Sequence, residues 1–220
     1  MGRIKVEFHC HTHFSGDSLA APERILAVCR RKGIGRIVIT DHNTIGGALA
    51  AQALDPERVI IGEEILTNQG ELLAAFVRAE IPKGLPALEA IAELRRQGAF
   101  ISVSHPFDRN RSGHWKREDL IQIAPLVDAI ETFNARCISQ RFNESADHFA
   151  RAAGLAGTAG SDAHAPFEIG RAVMEMSVFD GADGFRESLT SAKFQVKRSS
   201  PLVHLVSRYA AFVKGFQRIR

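Results

Sequence analysis

The sequence predicts an α/β domain folded as a small (β/α) barrel, and three observations carry this prediction. Segments with strand and helix patterns alternate along the 220 residues. Each predicted strand is apolar in its body and polar at its C-terminal end. No linker or low-complexity segment divides the chain. Strands that alternate with helices favour a mainly parallel sheet covered by helices, and six or seven such units in this length favour a barrel over an open sheet.

The predicted elements follow one another in a regular order. The strands cover residues 5–12, 36–42, 58–66, 71–77, 99–108, 128–135 and 155–164. The helices cover residues 19–33, 44–54, 85–98, 118–127, 139–154 and 181–192, and a β-rich stretch, 170–179, precedes the last of them. The first and third helices contain an early proline and end at a glycine, which is typical of helix termini.

The composition predicts an ordinary soluble globular protein. Lys and Arg exceed Asp and Glu by only three charges, a balance that neither requires nor excludes an anionic substrate. The three cysteines have no paired spacing, so neither a disulfide framework nor a thiolate zinc site is expected. With no recognisable signal peptide or membrane span, we expect a cytoplasmic protein. The sequence does not indicate an oligomeric state.

The stretch EFHCHTHFSGD, residues 7–17, concentrates three histidines in a short span. If it extends the first strand, His9, His11 and His13 share one face, because side chains alternate along a strand. Two imidazoles on one face can bind a single metal ion. The alternative is that these histidines are polar residues at a strand end, bonded to backbone or water.

Similar polar residues end the other predicted strands, in TDH, GEE, SHP, FNAR and SDAH. Parallel barrels collect these ends on one rim, where catalytic groups lie. The rim residues would be His9, His11, Asp41, His42, Glu63, Glu64, His105, Asn134, Asp162 and His164. Imidazoles and carboxylates without thiolates suit Mn²⁺, Zn²⁺ or Fe²⁺, and their number predicts two or three divalent ions with a bridging carboxylate. Strand parity allows only one of Glu63 and Glu64 to face inward, and does not say which.

Five motifs in order, FHCHTHFSGD, ITDHN, GEE, SHPFD and GSDAH, resemble those of the polymerase and histidinol phosphatase (PHP) superfamily of metal-dependent phosphoesterases. The resemblance covers nearly the whole chain. It implies a distorted seven-stranded (β/α) barrel over residues 1–200, with a di- or trinuclear metal site at the C-terminal rim of the strands.

The resemblance also implies a ligand set. His9, His11 and Asp162 would bind a first ion, and Glu64 would bridge it to its neighbours. Asp17, His42 and His164 would bind a second ion, and His105 would join Glu64 on a third.

The sequence departs from the family pattern at two of these places. Glu71 stands where many members have a histidine, and we expect it not to be a ligand. Asn134 lies where a second histidine of the third ion is missing, and its amide is a poorer ligand for these ions.

The function implied is hydrolysis of phosphate esters by a metal-bridging hydroxide, with small phosphomonoesters such as nucleotides or metabolite phosphates as substrates. The alternatives are a phosphodiesterase or exonuclease acting on short nucleic acids, and a non-catalytic PHP module that supports a partner protein. Asp41 and His42 are candidates for protonating the leaving group. Four arginines near strand ends are candidates for binding phosphate, Arg136 first among them, then Arg109, Arg111 and Arg171.

Residues 201–220 are predicted to form a basic amphipathic helix. Its apolar positions at helical spacing are Leu202, Leu205, Tyr209, Phe212, Phe216 and Ile219, and its basic residues off that stripe are Arg208, Lys214, Arg218 and Arg220. We expect this helix to dock on the barrel. The alternative is a segment that contacts nucleic acid or an anionic membrane surface.

Overall fold

A computed structural model describes residues 2–217 of the protein, with the backbone alone for 216 and 217. This range contains nine strands and seven α-helices. The strands are β1 (Arg3–Glu7), β2 (Arg36–Ile39), β3 (Val59–Leu66), β4 (Glu71–Ala75), β5 (Phe100–Val103), β6 (Ala129–Asn134), β7 (Ala156–Gly160), β8 (Ala172–Ser177) and β9 (Lys193–Val196). The helices are α1 (Pro22–Lys32), α2 (Gly46–Leu54), α3 (Ala87–Arg96), α4 (Arg117–Ile123), α5 (Gln140–Ala152), α6 (Gly181–Leu189) and α7 (Val203–Gln217).

The strands form one sheet that curls into a nearly closed barrel, in the order β7-β6-β5-β4-β3-β2-β1-β8-β9. The pairs β1–β2, β2–β3, β5–β6 and β6–β7 are parallel, whereas β4 runs antiparallel to both of its neighbours. Beyond the ends of β1 and β7, Cys10 pairs with Ala163, which brings the edge strand β7 next to β1. The C-terminal ends of β1, β2, β3, β5, β6 and β7 therefore face one rim.

The barrel interior is filled by apolar side chains from eight strands and from α6. Phe185 of α6 stacks on Phe8 at 5.5 Å between ring centroids and meets Phe100 edge to face at 4.7 Å. Aromatic pairs of this kind contribute about 0.5–1.5 kcal/mol each beyond the area they bury. This aromatic layer supports the polar residues of the rim from below.

Two further apolar clusters lie between the sheet and its helices. One packs α1 and α2 against the first strands, and the other packs α3, α4 and α5 against β4, β5 and β6. Side-chain alternation explains the division: in β5, Phe100 belongs to the interior while Ile101 and Val103 belong to the outer cluster. Within residues 2–217, no helix has both the length and the apolar content needed to cross a bilayer.

Helix α7 lies against the rim, but not by the face that the sequence predicted. Its buried residues are Val203 and Ala210, and the Lys214 ammonium donates to the backbone carbonyls of His13 and Ser15. The apolar stripe instead faces outward, with Leu202, Leu205, Tyr209 and Phe212 each 58–68% exposed. Of the other residues assigned to this helix, Arg218, Ile219 and Arg220 lie outside the described residues, as does the side chain of Phe216.

The predicted fold class is confirmed, with differences in its details. Nine strands replace the expected seven, because the β-rich stretch 170–179 forms β8 and an unpredicted strand, β9, follows it. All four residues of β9 are exposed, and its two apolar residues, Phe194 and Val196, form too short an alternation to have predicted a strand. The predicted helix 118–127 ends at Ile123 and continues as a 3₁₀ turn, because Pro125 cannot extend an α-helix.

Candidate metal centre

Four side chains at the rim converge closely enough to hold one ion. His9 and His11 lie just beyond the end of β1, Glu64 is in β3, and Asp162 follows β7. His9 Nε2 lies 3.1 Å from His11 Nε2, 3.3 Å from Glu64 Oε2 and 3.6 Å from Asp162 Oδ1. His11 Nε2 lies 3.4 and 3.3 Å from the same two oxygens. A tetrahedron of ligands at 2.0–2.1 Å from zinc has edges of roughly 3.3 Å, so these atoms are spaced for an ion at their centre.

A second group lies beside the first and is more open to solvent. Asp17 Oδ2 is 2.9 Å from His164 Nε2, and Asp17 Oδ1 is 3.6 Å from His42 Nε2. His42 Nδ1 lies 3.0 Å from Glu64 Oε2, the same oxygen that faces His9 and His11. Glu64 Oε2 therefore faces both groups, and its role as a bridge between two ions stays a prediction.

The structure decides between the two adjacent glutamates of β3. Glu64 points into the rim cluster, whereas Glu63 points away from it and accepts a hydrogen bond from the backbone N–H of Ile81. Burial and the neighbouring Glu80 raise the pKa of Glu63 to about 7. Glu63 is thus a buried carboxyl outside the metal centre.

A third group surrounds His105. Its Nε2 is 3.1 Å from Glu64 Oε1 and 3.7 Å from Glu71 Oε2. The Arg111 guanidinium also reaches this point, with Nη1 3.4 Å from His105 Nε2 and Nη2 2.5 Å from Asp162 Oδ2. Glu71, which we did not expect to be a ligand, is close enough to His42 and Glu64 to share an ion with them.

Asn134 has other partners than an ion. Its amide nitrogen donates to Glu131 Oε2 and to Asp162 Oδ2, and its oxygen accepts the backbone N–H of Arg136. Both polar atoms of its side chain are thus engaged with protein groups. Asn134 therefore contacts Asp162 from behind, and its predicted role as a metal ligand stays a prediction.

Inside the cluster, carboxylates and cationic side chains stabilise each other's charges in place of solvent. Burial opposes the charge on Glu64, but His9 and His42 outweigh that effect and hold the pKa of this carboxyl well below its usual range. Arg111 and His9 act in the same way on the pKa of Asp162. Burial lowers the pKa of His9, yet Glu64 and Asp162 raise it well above its ordinary value. Metal binding to such a group displaces imidazole protons, so metal affinity depends on pH.

Several buried groups fix the ligands from behind. The Nδ1–H of His9 donates to Glu131 Oε1 at 2.9 Å, which leaves Nε2 free to face an ion. Glu131 Oε2 accepts the backbone N–H of His105. Gly160 lies against both side chains, and a Cβ there would overlap the Cβ of His9. His105 and Asp162 both have positive φ angles, 20° and 51°, a backbone strain that is typical of functional sites.

Asp41, a candidate for protonating the leaving group, lies beneath the loop that follows β1. Its two oxygens accept four hydrogen bonds, two from Thr12 and two from Ser15. The Ser15 hydroxyl is in turn 3.2 Å from His11 Nδ1. Asp41 therefore supports the loop and, through it, the His11 ring.

A cavity of about 180 Å³ opens above the cluster. It is lined by Asp17, Asp108, Asn110, Arg111, Arg136, Ile138, His164, His204 and Ser207. The last two belong to α7, which forms one wall. Arg109 lines a separate hollow of about 1020 Å³ between α4 and α5, where none of the rim histidines lies.

Arg136, our first choice for phosphate binding, is only 3% exposed. Its Nη2 donates to the Val203 carbonyl and to the Ser207 hydroxyl, both on α7. Its Nε lies 3.5 Å from Glu168 Oε2. Arg136 thus anchors α7 to the barrel, and Arg111 is the arginine that reaches the ligands.

Sequence reasoning missed Glu131, which lies in the body of β6, three residues before Asn134 and more distant in sequence from every histidine and aspartate of the rim motifs. Its one signal was a carboxylate at an inward position of an otherwise apolar strand. His13 is exposed. His114 is half-buried and donates to the Arg111 carbonyl, outside the ligand set.

Comparisons with known proteins agree with this geometry. Residues 7–104 match the family described as PHP domain, and residues 140–194 match the family described as PHP-associated. Two uncharacterized proteins of Methanocaldococcus jannaschii are similar to this chain. MJ1587 is 38% identical over 146 residues, covering 60% of this chain and 82% of that protein. MJ0417 is 35% identical over 177 residues, covering 79% of this chain and 71% of that protein.

A solved structure from Bacteroides vulgatus has the same fold. It is described as a two-domain protein containing a predicted PHP-like metal-dependent phosphoesterase. The TM-score is 0.72 at 21% sequence identity, and the match covers 89% of this chain and 65% of that chain. At this identity the likeness concerns the fold.

Proposed function

Since this chain belongs to the PHP domain family, we propose that it hydrolyses small phosphomonoesters with divalent metal ions held at the barrel rim. One observation carries the proposal: buried carboxylate oxygens of Glu64, Asp162 and Asp17 have no hydrogen-bond partner and face the histidines. Leaving such an oxygen without a partner is costly, and a cation between the oxygens and the imidazoles satisfies them.

The donor set fits hard or borderline divalent ions. His9, His11, Glu64 and Asp162 would hold the first ion, and Asp17, His42 and His164 the second. Ions held there supply positive charge for phosphoryl oxygens and bring the pKa of water near neutrality. Nitrogen and carboxylate donors favour Mn²⁺, Zn²⁺ or Fe²⁺, and do not distinguish among them.

The protein's own groups have separate tasks in this proposal. Glu131 orients His9, and Asp41 holds the loop that carries His11 and Asp17. Arg111 lines the cavity with its guanidinium and binds the substrate's phosphoryl group. His42 is partly exposed at the edge of the cluster. Its two predicted roles, ligand of the second ion and proton donor to the leaving oxygen, are alternatives, because both of its nitrogens face carboxylates, and we propose the ligand role.

The cavity's size favours a small substrate. At about 180 Å³, with α7 as one wall, it has room for a phosphoryl group and part of a leaving group. A nucleic-acid strand would need an open groove along the rim, which α7 would obstruct. We therefore favour hydrolysis of a phosphomonoester of a nucleotide or metabolite. We favour it over hydrolysis of a nucleic-acid phosphodiester and over a non-catalytic supporting role.

A substrate panel with Mn²⁺ tests this proposal. It should contain mononucleotides, 3′,5′-bisphosphates, sugar phosphates and short oligonucleotides, with phosphate release and chain shortening measured in parallel. We expect phosphate release from at least one monoester. His11→Ala and Asp162→Ala should each abolish it, because both remove ligands of the first ion.

The matched control is His13→Ala, which removes an exposed imidazole two residues from His11 and should retain full activity. Cleavage of oligonucleotides alone would replace the proposal with a nuclease. Full activity in both ligand variants would refute the site, and inactivity of the metal-loaded wild type on the whole panel would refute the reaction.

A further inference from the structure

Arg111 lies beside His105, the residue that the resemblance placed with Glu64 on a third metal ion. Its Nη1 is 3.4 Å from His105 Nε2, and its Nη2 is 2.5 Å from Asp162 Oδ2. A guanidinium is permanently charged, so this arrangement puts a fixed cation against two groups that otherwise bind metal.

The hydrogen bonds of the carboxylates distinguish the first two ion positions from the third. Among the carboxylates of the proposed ligands, the oxygens without partners are Glu64 Oε2, Asp162 Oδ1 and Asp17 Oδ1, and all three face the first and second positions. The opposite oxygens are already satisfied by protein donors. Asp162 Oδ2 accepts from Arg111 and Asn134, and Glu64 Oε1 accepts from the Ser104 hydroxyl at 2.6 Å.

The loop that carries Arg111 is fixed at several points. The Arg111 N–H donates to the Asp108 carbonyl, and its own carbonyl accepts from His114 Nδ1 at 2.7 Å. Its guanidinium also lies 3.4 Å from Asp108 Oδ2. The indole N–H of Trp115 donates to the Glu71 carbonyl and ties the end of the loop to β4. The guanidinium is therefore held at this position, with a side chain that is only 18% exposed.

From these contacts we infer that the Arg111 guanidinium replaces a third metal ion, so that the centre takes two ions and uses arginine as its third cation. The inference deepens the proposed function, because it assigns to Arg111 the phosphoryl contact that a third ion would make. Its metal-binding part stands without that function. The missing histidine at Asn134 fits the same picture, because a position filled by arginine needs no further ligand.

Removing the guanidinium should reveal a latent site. Glu64 Oε1 and Glu71 Oε2 lie 3.1 and 3.7 Å from His105 Nε2, and these three atoms are spaced suitably for one ion. Glu71 would then become a ligand. Arg111→Met keeps the volume of the aliphatic stem and removes the charge, whereas Arg111→Lys keeps a charge near the same place.

The experiment counts metal ions directly. The wild-type protein and its variants are equilibrated with Mn²⁺, and bound metal per chain is measured by equilibrium dialysis and elemental analysis. We expect two equivalents in the wild type and in Arg111→Lys, and three in Arg111→Met. In the double variant Arg111→Met/His105→Ala the count should return to two, since the third site loses its imidazole.

Three equivalents in the wild type would overturn the inference, and this result needs no variant to fold. A count of two in a folded Arg111→Met, checked by circular dichroism, would overturn it as well. A second readout is inhibition by inorganic phosphate, whose inhibition constant should rise about tenfold or more in Arg111→Met/His105→Ala, where neither the guanidinium nor a third ion is present. If the wild type binds two ions and hydrolyses no phosphate ester, the proposed function fails while the metal count supports the inference.

Discussion

The inner and outer sides of the barrel wall differ most clearly at the end of β3, where two neighbouring glutamates face opposite ways. Both are fully buried. Glu64 faces the imidazoles of the rim, which hold its pKa well below the usual range. Glu63 faces the outer layer with one backbone N–H as its partner, and its pKa rises to about 7.

The difference shows that burial alone does not make a carboxylate into a metal ligand. Burial disfavours the charge of both residues, and the cationic partners on one side decide which of them is ionised. A buried carboxylate with partners is ready to bind a cation, whereas one without them tends to keep its proton. Exchanging each glutamate for glutamine should therefore have different consequences on the two sides of the wall.

The largest effect is expected from Glu64→Gln. The amide lacks the negative charge that faces His9, His11 and His42, so bound metal should fall from two equivalents to one or none. Activity should fall about a thousandfold or more, since the ions supply several kcal/mol of transition-state stabilisation. Metal analysis and phosphate release measure the two effects. Glu63→Gln is the matched control, and equal losses in both variants would contradict the distinction between the two sides.

A smaller effect on the inner side is expected from Glu131→Gln. Glu131 Oε2 accepts from two donors, so the new amide nitrogen must turn toward His9 Nδ1. His9 Nδ1 then has to accept a hydrogen bond from the amide of the glutamine. The imidazole proton therefore moves to Nε2, the atom that faces the ion. We expect metal affinity to fall about ten- to a hundredfold, measured by competition with a chelator.

The control for this second prediction is Glu144→Gln, on the exposed face of α5, which should bind metal as the wild type does. Unchanged affinity in Glu131→Gln would mean that the His9 tautomer does not depend on Glu131.

The fold and most of the rim residues could be predicted because strand ends are visible in the sequence. His9, His42, Glu64, His105 and Asp162 each follow an apolar run, and the barrel brings such ends together. Their assignment as ligands stays a prediction, although the structure draws these side chains into one cluster.

The sequence could not show which way individual side chains and helix faces point. It did not distinguish Glu63 from Glu64, because an error of one residue in strand parity exchanges the two faces. It ranked Arg136 above Arg111, because the path of the loop after β5 is set by tertiary contacts such as that of Trp115 with Glu71. The face by which α7 docks was missed for a similar reason, since polar contacts of Arg136 and Lys214 fix this helix and its apolar stripe does not.

The smallest effect, and the one confined to the outer side, concerns stability in Glu63→Gln. The pKa of Glu63 is about 7 in the folded protein against 4.5 for the ordinary carboxyl, so the native state binds more protons between these values. Stability should therefore decrease as pH rises through this window and level off above about pH 7. The amide cannot ionise, and its oxygen can still accept the Ile81 N–H. Relative to the wild type, the variant should gain up to about 3 kcal/mol in free energy of unfolding between about pH 4.5 and pH 8.

Urea unfolding at several pH values measures this difference, and the comparison with the wild type cancels the contributions of Glu7 and Glu168, whose pKa values are also raised to about 7. A difference that stays constant with pH would mean that Glu63 is ionised in the folded protein, and the contrast with Glu64 would then lie in their partners and not in their charge.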